Sequence, residues 1–354
     1  MYLTHRQIDR YTATVKKTVK WAYDNHQRIL AEPDIQAHYK APYFWACVGD
    51  MKMAGLHRNH IARNFLRADG DFRTKGDSKG FYVFPCTVHN QYIYPNGWLV
   101  SGMQKLGAYD ISIKGLEFVL QFQDPKRGGF YFAFDAAKQL IDKSLMDSSS
   151  TSAAGMACLM CGRLEEAKRA GDFILDLLHL QPEPENYFFS CMRPDGALHT
   201  DVFGNENSWD PNSRKQKCLS AKDDGHNELT WLIGKPTKFL TRLYTATGDK
   251  RYLKGAQQGF FFFHKLHANA WTNYASCKTM WAGAELYRLT GETGFADTAI
   301  RILDFYCETQ SPTGSWVHTL WYKDESQQHF TWTADITFEY GGEISDVILD
   351  LCSN

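Results

Sequence analysis

The sequence has almost no excess of either charge and no long apolar run. It contains 39 Lys and Arg against 40 Asp and Glu, a formal net charge of −1, whereas a chain that binds nucleic acid usually carries a basic excess. The longest apolar stretch, residues 259–264, is far shorter than the roughly 20 residues of a membrane-spanning helix. Residues 1–17 are polar and lack the apolar segment of a secretory signal. We therefore expect neither a nucleic-acid nor a membrane partner, and a cytoplasmic location.

The common cofactor and metal motifs are also missing. There is no GxGxxG fingerprint for a dinucleotide and no GxxxxGK loop for phosphates. A lone CxxC, Cys158–Cys161, lies inside an apolar helical run without a second pair, so we do not expect a zinc site. The nine cysteines are an odd number and most lie in helical runs, which is typical of free thiols in a reducing compartment. Nothing in the sequence requires a metal or an organic cofactor.

What the chain does contain is a recurring helical turn. An apolar helical run is followed five times by a tight link around glycine and a second helical run. Glycine supplies the left-handed residue that ends one helix before the next folds back on it. A repeat of roughly 50 residues, with one long insertion, predicts stacked helical hairpins. The glycines of the five links are Gly55, Gly107, Gly162, Gly248 and Gly291.

Hydrophobic periodicity and the glycine stops predict about twelve helices, which pair into hairpins. If the last helix packs on the first, the hairpins close into an all-α (α/α)6 barrel, a toroid of six helical hairpins. Because the repeat runs from end to end, we expect one domain over residues 1–354. The predicted helices span 6–30, 42–54, 57–68, 95–106, 108–123, 148–161, 164–180, 226–246, 250–267, 271–289, 293–310 and 335–352.

The connections between the predicted helices alternate between tight and long. Long loops precede even-numbered helices at 69–94, 124–147, 181–225 and 311–334, and they carry short strand-like pieces such as Gly80–Phe84. Loops of this length in a compact domain are usually functional. In a ring of hairpins they emerge on one rim, together with the N-termini of the even-numbered helices, which we take as the inner layer. The unpaired N–H groups there favour a polar mouth that tolerates anions.

The segment 223–232 opens the eighth predicted helix after the longest loop. His226 and Glu228 fall in the first turn of that helix, at the expected mouth of the ring. A histidine can move protons near neutral pH, and a nearby carboxylate can orient it or share the work. The alternative is ordinary helix capping, with Asp224 as the cap and Glu228 in the first turn. That alternative accounts for the acids but not for His226 and Trp231 in the same segment.

The last predicted helix is rich in acids and contains no lysine or arginine. Glu339, Glu343 and Asp346 are spaced i, i+4, i+7 and share one helix face. Crowded carboxylates raise one another's pKa, which makes a general acid possible at neutral pH. We expect Glu339 and Asp335 to act in the cavity and Asp346 to be structural. The alternative is that these acids meet three lysines of the first helix: Lys16, Lys17 and Lys20.

Two further groups of residues lie at the same end of the predicted ring. Asp147, in the segment that opens the sixth helix, is a candidate catalytic acid, with helix capping as its alternative role. Aromatic side chains gather near the expected mouth, where their faces can stack on sugar rings or flat hydrophobic ligands; core packing is the alternative. The candidate substrate-binding aromatics are Tyr43, Trp45, Tyr94, Trp98, Trp231, Trp271, Tyr274 and Trp332.

The repeated hairpins resemble the six-hairpin glycosidase-like superfamily, which includes the N-acylglucosamine 2-epimerase family, unsaturated glucuronyl hydrolases and several glycoside hydrolases. The resemblance covers the whole chain in architecture and two segments in detail. Residues 225–232, GHNELTWL, are similar to the GHxxExxWLL segment of the epimerases, in which the histidine is a catalytic acid/base. Residues 143–153 are loosely similar to the opening of the sixth helix in that family.

The resemblance implies that His226 is a catalytic acid/base. In the epimerases a second catalytic histidine lies near the last inner helix, whereas this chain carries Asp335, Glu339 and Glu343 there, with His329 as the nearest histidine. Two arrangements therefore stay open. One pairs His226 with a carboxylate, and the other is a hydrolase that uses carboxylates alone.

These patterns predict an enzyme that acts on a carbohydrate or a sugar-like small molecule, by glycoside hydrolysis or by proton transfer at a sugar carbon. Glu339 or Asp147 would protonate the leaving oxygen, and His226 with Glu228 would act as base or orient the substrate. The alternative is a cofactor-independent cyclase or pericyclase of natural-product biosynthesis with a hydrophobic substrate, favoured by 23 Phe, 18 Tyr and 10 Trp. A non-catalytic binding module is a third hypothesis. We expect a monomer or a homodimer with a small-molecule substrate.

Overall fold

The structure is a computed structural model that describes residues 2–74, 91–135, 140–206, 210, 213–318 and 322–353. The strand-like piece predicted at Gly80–Phe84 lies outside these residues. The described part of the chain contains fourteen α-helices. They are α1 His5–Asp24, α2 His26–Ala31, α3 Ala41–Val48, α4 Met51–Asn64, α5 Tyr94–Lys105, α6 Tyr109–Leu120, α7 Ser148–Met160, α8 Leu164–His179, α9 Arg214–Lys217, α10 Trp231–Thr247, α11 Lys250–Lys265, α12 Cys277–Thr290, α13 Thr293–Thr309 and α14 Phe330–Cys352.

Six of these helices form a closed inner ring. They follow one another in the order α3, α5, α7, α10, α12 and α14, each packs on its two neighbours, and α14 returns to α3. Apolar and small residues cover most of their surface because each inner helix is enclosed on several sides. The predicted all-α (α/α)6 toroid is confirmed.

The outer layer consists of α1, α4, α6, α8, α11 and α13, which pack against the inner helices. These helices are amphipathic. In α8 the buried residues Ala167, Ala170, Phe173, Ile174 and Leu177 recur every three or four positions, so one stripe faces the ring and the other side faces solvent. The first helix α1 packs on the last, α14. The predicted pairing of the two ends of the chain is therefore confirmed.

Four of the five predicted glycine turns are present. Gly107, Gly162, Gly248 and Gly291 adopt left-handed backbone with φ between 70° and 77°, and each lies at the end of an inner helix. The first predicted turn was wrong. Gly55 lies inside α4, and the chain reverses instead at Gly49, whose φ is 75°. The next residue, Asp50, then caps α4 by accepting a hydrogen bond from the backbone N–H of Met53.

Several predicted helix boundaries also needed correction. The first helix ends at Asp24 and a short second one follows it, α10 begins at Trp231 rather than at 226, and α12 begins at Cys277 rather than at 271. The last helix begins five residues earlier than predicted, at Phe330. The inner helices therefore start in a different place from the predicted ones, and this changes which side chains reach the interior.

The described strands lie in the long connections that precede inner helices. A three-stranded antiparallel sheet has the order β1 Tyr131–Asp135, β2 Leu140–Asp147 and β4 Cys191–Met192, and β3 Tyr187–Phe189 pairs with β5 Cys218–Ser220. Strand β2 continues directly into α7, which places Asp147 at the N-cap of that helix.

None of the helices in the described ranges combines the length and the apolar character that crossing a membrane requires. The eight cysteines of the described residues are all free thiols.

Candidate active site

The N-terminal ends of the inner helices surround a cavity of about 580 Å³, part of which is open to solvent. We call this cavity the cup. Aromatic and charged side chains make up most of its wall. The described residues that line it are Tyr39, Lys40, Gln91, Tyr94, Trp231, Lys235, Tyr274, Cys277, Lys278, His318, Trp332, Asp335, Ile336, Glu339 and Tyr340.

Lys40 joins the two acids of α14 that face the cup. Its Nζ lies 2.6 Å from Asp335 Oδ1 and 2.5 Å from Glu339 Oε2. The other Asp335 oxygen accepts a hydrogen bond of 3.1 Å from the amide of Gln36. All three charged side chains are almost fully buried, with side-chain exposures of 4%, 2% and 10% for Lys40, Asp335 and Glu339. Such burial is tolerated because each charge has an opposite partner.

Lys278 lies in the first turn of α12. It contacts α14 at Glu339 and one turn beyond it. Its Nζ is in direct contact with Glu339 and Glu343. The thiol of Cys277 and these two carboxylates are close enough together to ligate a metal ion, but the Lys278 ammonium already balances both carboxylates. The acids of α14 therefore belong to an interior network of ion pairs. The alternative that they meet Lys16, Lys17 and Lys20 of the first helix was wrong.

The two acids of the cup differ in their affinity for protons. Burial raises the pKa of Asp335, an effect that the Lys40 ammonium only partly offsets. Burial also acts on Glu339, but the ammonium groups of Lys278 and Lys40 outweigh it and hold the pKa of this carboxyl well below its usual range. Two neighbouring carboxyl groups with pKa values pushed apart are a common arrangement for an acid and a carboxylate in one active site.

Lys235 is the third lysine of the cup and has a different environment. It makes no hydrogen bond or salt bridge with any of the described residues, and its Nζ lies 3.8 Å from the centre of the Tyr94 ring. The Trp231 ring is 5.5 Å away. Burial, together with the nearby charge of Lys278, lowers the pKa of Lys235 to about 7. Near neutral pH this amine is therefore partly unprotonated.

The sequence around Lys235 fixes its position closely. A Cβ on the preceding residue, Gly234, would lie 2.7 Å from the backbone nitrogen of Thr279, so only glycine allows α10 to approach α12 this closely. The following residue, Pro236, cannot donate a backbone hydrogen bond to Leu232. The hydroxyl of Ser148 donates to the Leu232 carbonyl instead, at 2.8 Å. Both contacts hold the start of α10 against its neighbours.

A second compartment, which we call the floor, lies deeper between the inner helices and has a volume of about 440 Å³. It shares Tyr94, Lys235 and Lys278 with the cup. Trp98 and Trp281 stack there with their ring centres 6.2 Å apart. The remaining described residues that line the floor are Tyr43, Gly97, Ser101, Ser152, Ala153, Met156, Lys238 and Phe239.

The floor also contains paired charges. Lys238 lies 2.8 Å from Glu285 and 3.4 Å from Asp350. Tyr43 donates a hydrogen bond of 2.6 Å to Asp346. Asp346 therefore has a structural partner inside the ring and does not lie on an exposed surface.

His318 lies in the connection before α14 and packs among three aromatic rings of the cup wall. Its ring centre is 5.8 Å from Tyr274, 5.7 Å from Trp332 and 6.5 Å from Trp231. Burial lowers the pKa of His318 to about 3, so the imidazole is neutral at physiological pH. It can accept or donate a hydrogen bond without adding to the positive charge of the cup.

Asp147 caps α7 and lies behind the wall of the cup. Its carboxylate accepts hydrogen bonds from the backbone N–H of Ser150, at 2.8 Å, and from the amide of Gln91, at 3.2 Å. Burial raises the pKa of Asp147 to about 6. Asp147 therefore has the capping role that was its alternative. In the described residues Gln91, rather than Asp147, lines the cavity.

The structure brings most of the predicted aromatic residues to one site. Tyr94, Trp231, Tyr274 and Trp332 line the cup together with the predicted acids Asp335 and Glu339, and Tyr43 and Trp98 line the floor. Two others lie elsewhere. Trp45 is fully buried between α3 and the outer layer, where it packs on Phe44 and His57. Trp271 stacks on Phe263 and His264 of the outer helix α11.

His226 does not reach the cup. Asn227 adopts left-handed backbone with φ of 59°, so the helix cannot extend back from Trp231 to His226. The His226 side chain is exposed, and its Nε2 lies 3.4 Å from the amide nitrogen of Asn269. The prediction that it falls in the first turn of an inner helix was wrong.

Glu228 is fully buried outside the cup in a cluster of charges. It accepts hydrogen bonds from Arg214, at 2.7 Å, from Lys215, at 3.3 Å, and from the backbone N–H of Ser220, at 3.0 Å. Arg214 also contacts Asp223 at 2.6 Å. This cluster ties the long loop before α10 to the short segment α9. Neither Glu228 nor His226 lines either compartment in the described residues.

Four residues of the cup were not predicted from the sequence: Lys40, Lys235, Lys278 and His318. A signal for the lysines was present, because each falls at or within about the first turn of an inner helix. Positive charge is unfavourable there, since it opposes the positive end of the helix dipole. Lysines that recur at this position in buried helices indicate a function or a fixed acidic partner.

The chain has the same fold as several solved enzyme structures. It superposes on a D-mannose isomerase with a TM-score of 0.66 and 11% identity, over 96% of this chain and 97% of that one. For an α-mannanase of glycoside hydrolase family 76 from Bacteroides thetaiotaomicron the TM-score is 0.59 at 13% identity, over 94% and 95%. For a type II terpene cyclase from Scytonema the TM-score is 0.58 at 11% identity, over 98% of this chain and 100% of the cyclase. No protein-family model and no curated protein matches the sequence.

Identities this low show a shared fold and no more. All three structures align over nearly the whole chain. The predicted likeness to six-hairpin toroid proteins is therefore confirmed at the level of architecture. The reaction depends on the residues that line the cup.

Proposed function

We propose that this protein is an enzyme that acts on a carbohydrate or a sugar-like small molecule by acid/base chemistry in the cup. The observation that carries the proposal is the position of Asp335 and Glu339, two carboxyl groups with opposite pKa shifts, on one wall of an aromatic cavity. Sugars present hydroxyl groups at their edges and C–H groups on their faces. Charged groups beside flat aromatic rings suit both surfaces.

The two acids have separate roles in this proposal. Asp335 is the proton donor and acceptor, because burial favours its protonated form. Glu339 stays ionised between Lys40 and Lys278. It orients the substrate and stabilises positive charge that develops at a sugar carbon during bond cleavage or proton transfer. Trp231, Trp332 and their aromatic neighbours hold the ring in place.

Two of the structures with the same fold, the mannose isomerase and the mannanase, are enzymes that process sugars. This supports the choice of substrate class without deciding between isomerisation and hydrolysis. The two reactions also differ in what they need, since hydrolysis requires a water next to the anomeric carbon, whereas isomerisation requires a base next to a C–H bond.

The competing hypothesis is a cyclase that folds a hydrophobic substrate in the same ring. The aromatic floor and the shared fold with a terpene cyclase favour it. Polarity argues against it, because the charged side chains of Lys40, Lys278, Asp335 and Glu339 line the cup. A hydrophobic substrate there would take water away from these groups without giving them hydrogen bonds. A polar substrate with oxygen acceptors fits this wall better.

A turnover screen tests the proposal. The purified protein is incubated with D-mannose, D-fructose, cellobiose and α-1,6-linked mannooligosaccharides in D2O, and the products are followed by NMR. Deuterium at a sugar carbon reports proton transfer, and a new reducing end reports hydrolysis. Asp335→Asn should abolish the activity, whereas Glu117→Gln, which changes a carboxylate that is 61% exposed on the outer helix α6, should leave it intact. An active sugar-converting Asp335→Asn variant would contradict the assignment.

A further inference from the structure

We propose that Lys235 is a nucleophilic amine that forms an imine with the carbonyl group of a small aldehyde or ketone, such as an open-chain sugar, bound in the cup. The choice of a sugar as the carbonyl compound rests on the proposed function, whereas the reactivity of the amine does not. Imine formation would give this cavity a covalent step in addition to acid/base chemistry.

Lys235 has no acidic partner among the described residues. The other lysines of the interior are all neutralised: Lys40 by Asp335 and Glu339, Lys278 by Glu339 and Glu343, and Lys238 by Glu285 and Asp350. Lys235 alone among these four has aromatic rings next to its Nζ instead of a carboxylate. Lys235 is partly buried, and an ammonium group without a counterion is costly where solvent reaches it only in part, so the neutral amine is favoured.

The surroundings of Lys235 also favour its neutral form. Burial lowers its pKa, the ammonium groups of Lys278 and Lys40 act in the same direction, and the Glu339 carboxylate opposes them only in part, so that the pKa falls to about 7. A lysine in an apolar pocket next to another cation is an established way to produce a reactive amine. Five titratable groups interact electrostatically with Lys235: Lys40, Lys278, Cys277, Glu339 and Asp147.

Lys235 is also accessible to a ligand. Lys235 lines both the cup and the floor, so a ligand in either compartment can meet it. Gly234 and Pro236 on either side fix the helix that carries it, and the Tyr94 ring limits the movement of its Nζ. A positioned amine loses little freedom when it attacks a bound carbonyl.

The chemical step balances without any added reagent. The lone pair of the Lys235 amine attacks the carbonyl carbon, the C=O electron pair moves to oxygen, and one proton passes from nitrogen to that oxygen. The resulting carbinolamine loses its hydroxyl group as water, for which Asp335 can supply the proton. The nitrogen lone pair forms the C=N bond of a protonated imine, whose N–H proton can return to the Asp335 carboxylate, and addition of water reverses the sequence.

Reductive trapping tests this inference with the unaltered protein. The protein is incubated at pH 7 with glycolaldehyde and sodium cyanoborohydride, and each lysine is followed by peptide mass mapping. An ordinary lysine is a free amine in roughly one molecule in 2,500 at this pH. We expect Lys235 to be labelled at least about tenfold faster than the exposed Lys254 of α11 or the paired Lys278. Equal rates at Lys235 and Lys254 would overturn the inference.

Two variants separate the imine from a purely ionic role. Lys235→Arg keeps a positive charge but cannot form the reduced adduct, and Lys254→Arg is the matched control. If Lys235 only bound anions, inorganic phosphate would raise the Tm of the wild type and of Lys235→Arg, and Lys235 would stay unlabelled, which would overturn the inference.

The same experiment distinguishes this inference from the proposed function. Labelling of Lys235 in a protein that converts no sugar would support the reactive amine and count against a sugar as its substrate. Sugar turnover in a protein whose Lys235 stays unlabelled would support the proposed function and refute the imine. A sugar that is turned over should also slow the labelling of Lys235 but not that of Lys254.

Discussion

Lys40 Nζ lies 2.5 Å from Glu339 Oε2, a contact between residues 299 positions apart in the sequence. It connects the start of the first inner helix with the last one, where the ring closes. The Glu339 carboxylate therefore helps to close the ring and also lines the cup. The loss of either partner leaves this buried network of ion pairs with one unbalanced charge, which is more costly than the pair itself is stabilising.

The first prediction concerns Glu339. Glu339→Gln should lower kcat/KM by about 100-fold or more, because the cup loses the carboxylate that faces developing positive charge. It should also lower the Tm, since two ammonium groups lose part of their partner. The double variant Lys40→Gln, Glu339→Gln restores the charge balance and should recover part of the Tm but none of the activity. Recovery of activity in the double variant would show that Glu339 has only a structural role.

The second prediction is that Glu228 stabilises the fold and is not catalytic. It is fully buried and accepts hydrogen bonds from Arg214, Lys215 and the backbone of Ser220. Glu228→Gln should lower the free energy of unfolding by about 3 kcal/mol, because Lys215 loses its carboxylate partner and Arg214 keeps only the more exposed Glu206 and Asp223. Urea denaturation of this variant and of the exposed control Glu165→Gln measures the effect. A loss below 1 kcal/mol, roughly that of a surface salt bridge, would contradict it.

The third prediction is that His226 is dispensable for activity. Its side chain is exposed and lies outside both compartments in the described residues. His226→Ala should change kcat/KM by no more than about twofold, as expected for a surface substitution. The resemblance to the epimerase segment predicts the opposite, a large loss. Steady-state kinetics on a sugar that is turned over decides between the two, and a loss comparable with that of Glu339→Gln would restore His226 to the site.

The fourth prediction concerns stability in acid. His38 and His57 are fully buried, and burial lowers the pKa of each to about 3. In the unfolded chain the pKa is about 6.5, so the unfolded state binds more protons between these values. The stability that these residues contribute is present above about pH 6.5 and is lost as the pH falls towards about 3. Each contributes a slope of up to about 1.4 kcal/mol per pH unit.

A variant can isolate the contribution of His57. Neither of its ring nitrogens has a hydrogen-bond partner among the described residues, and its ring packs on Trp45 and Phe338. His57→Leu should therefore make the free energy of unfolding less dependent on pH between about 6.5 and 3. His5→Leu, at an exposed position of α1, is the control. An unchanged slope in His57→Leu would mean that His57 is protonated in the folded state.

The sequence predicted the ring well because its signals are local. Four left-handed glycines and the apolar stripe of the outer helices determine the hairpins independently of the rest of the chain. The exception, Gly49 instead of Gly55, arose because both glycines lie near the same helix boundary, and the deciding contact is the capping of α4 by Asp50. Helix capping of this kind depends on geometry that spacing alone does not give.

The site was only partly predictable, because it depends on contacts between residues that are far apart in the sequence. Asp335 and Glu339 were predicted to face the cavity because an acidic helix without lysine or arginine is not typical of a solvated outer face. The partners themselves, Lys40 and Lys278, come from distant helices that only the closed ring brings together. His226 was misplaced because the left-handed backbone of Asn227 ends the helix before that residue. The pKa shift of Lys235 depends on the burial and the neighbouring charges that the fold creates.

The most direct test of the account is a crystal structure of the protein soaked with the monosaccharides and uronic acids that it turns over or binds. We expect density for a sugar in the cup, stacked on Trp231 or Trp332 and within hydrogen-bond distance of Asp335 or Glu339. Density for a turned-over sugar elsewhere would contradict it, for example in the open groove between α1 and residues 312–333, which Lys20, Arg28 and Glu325 line.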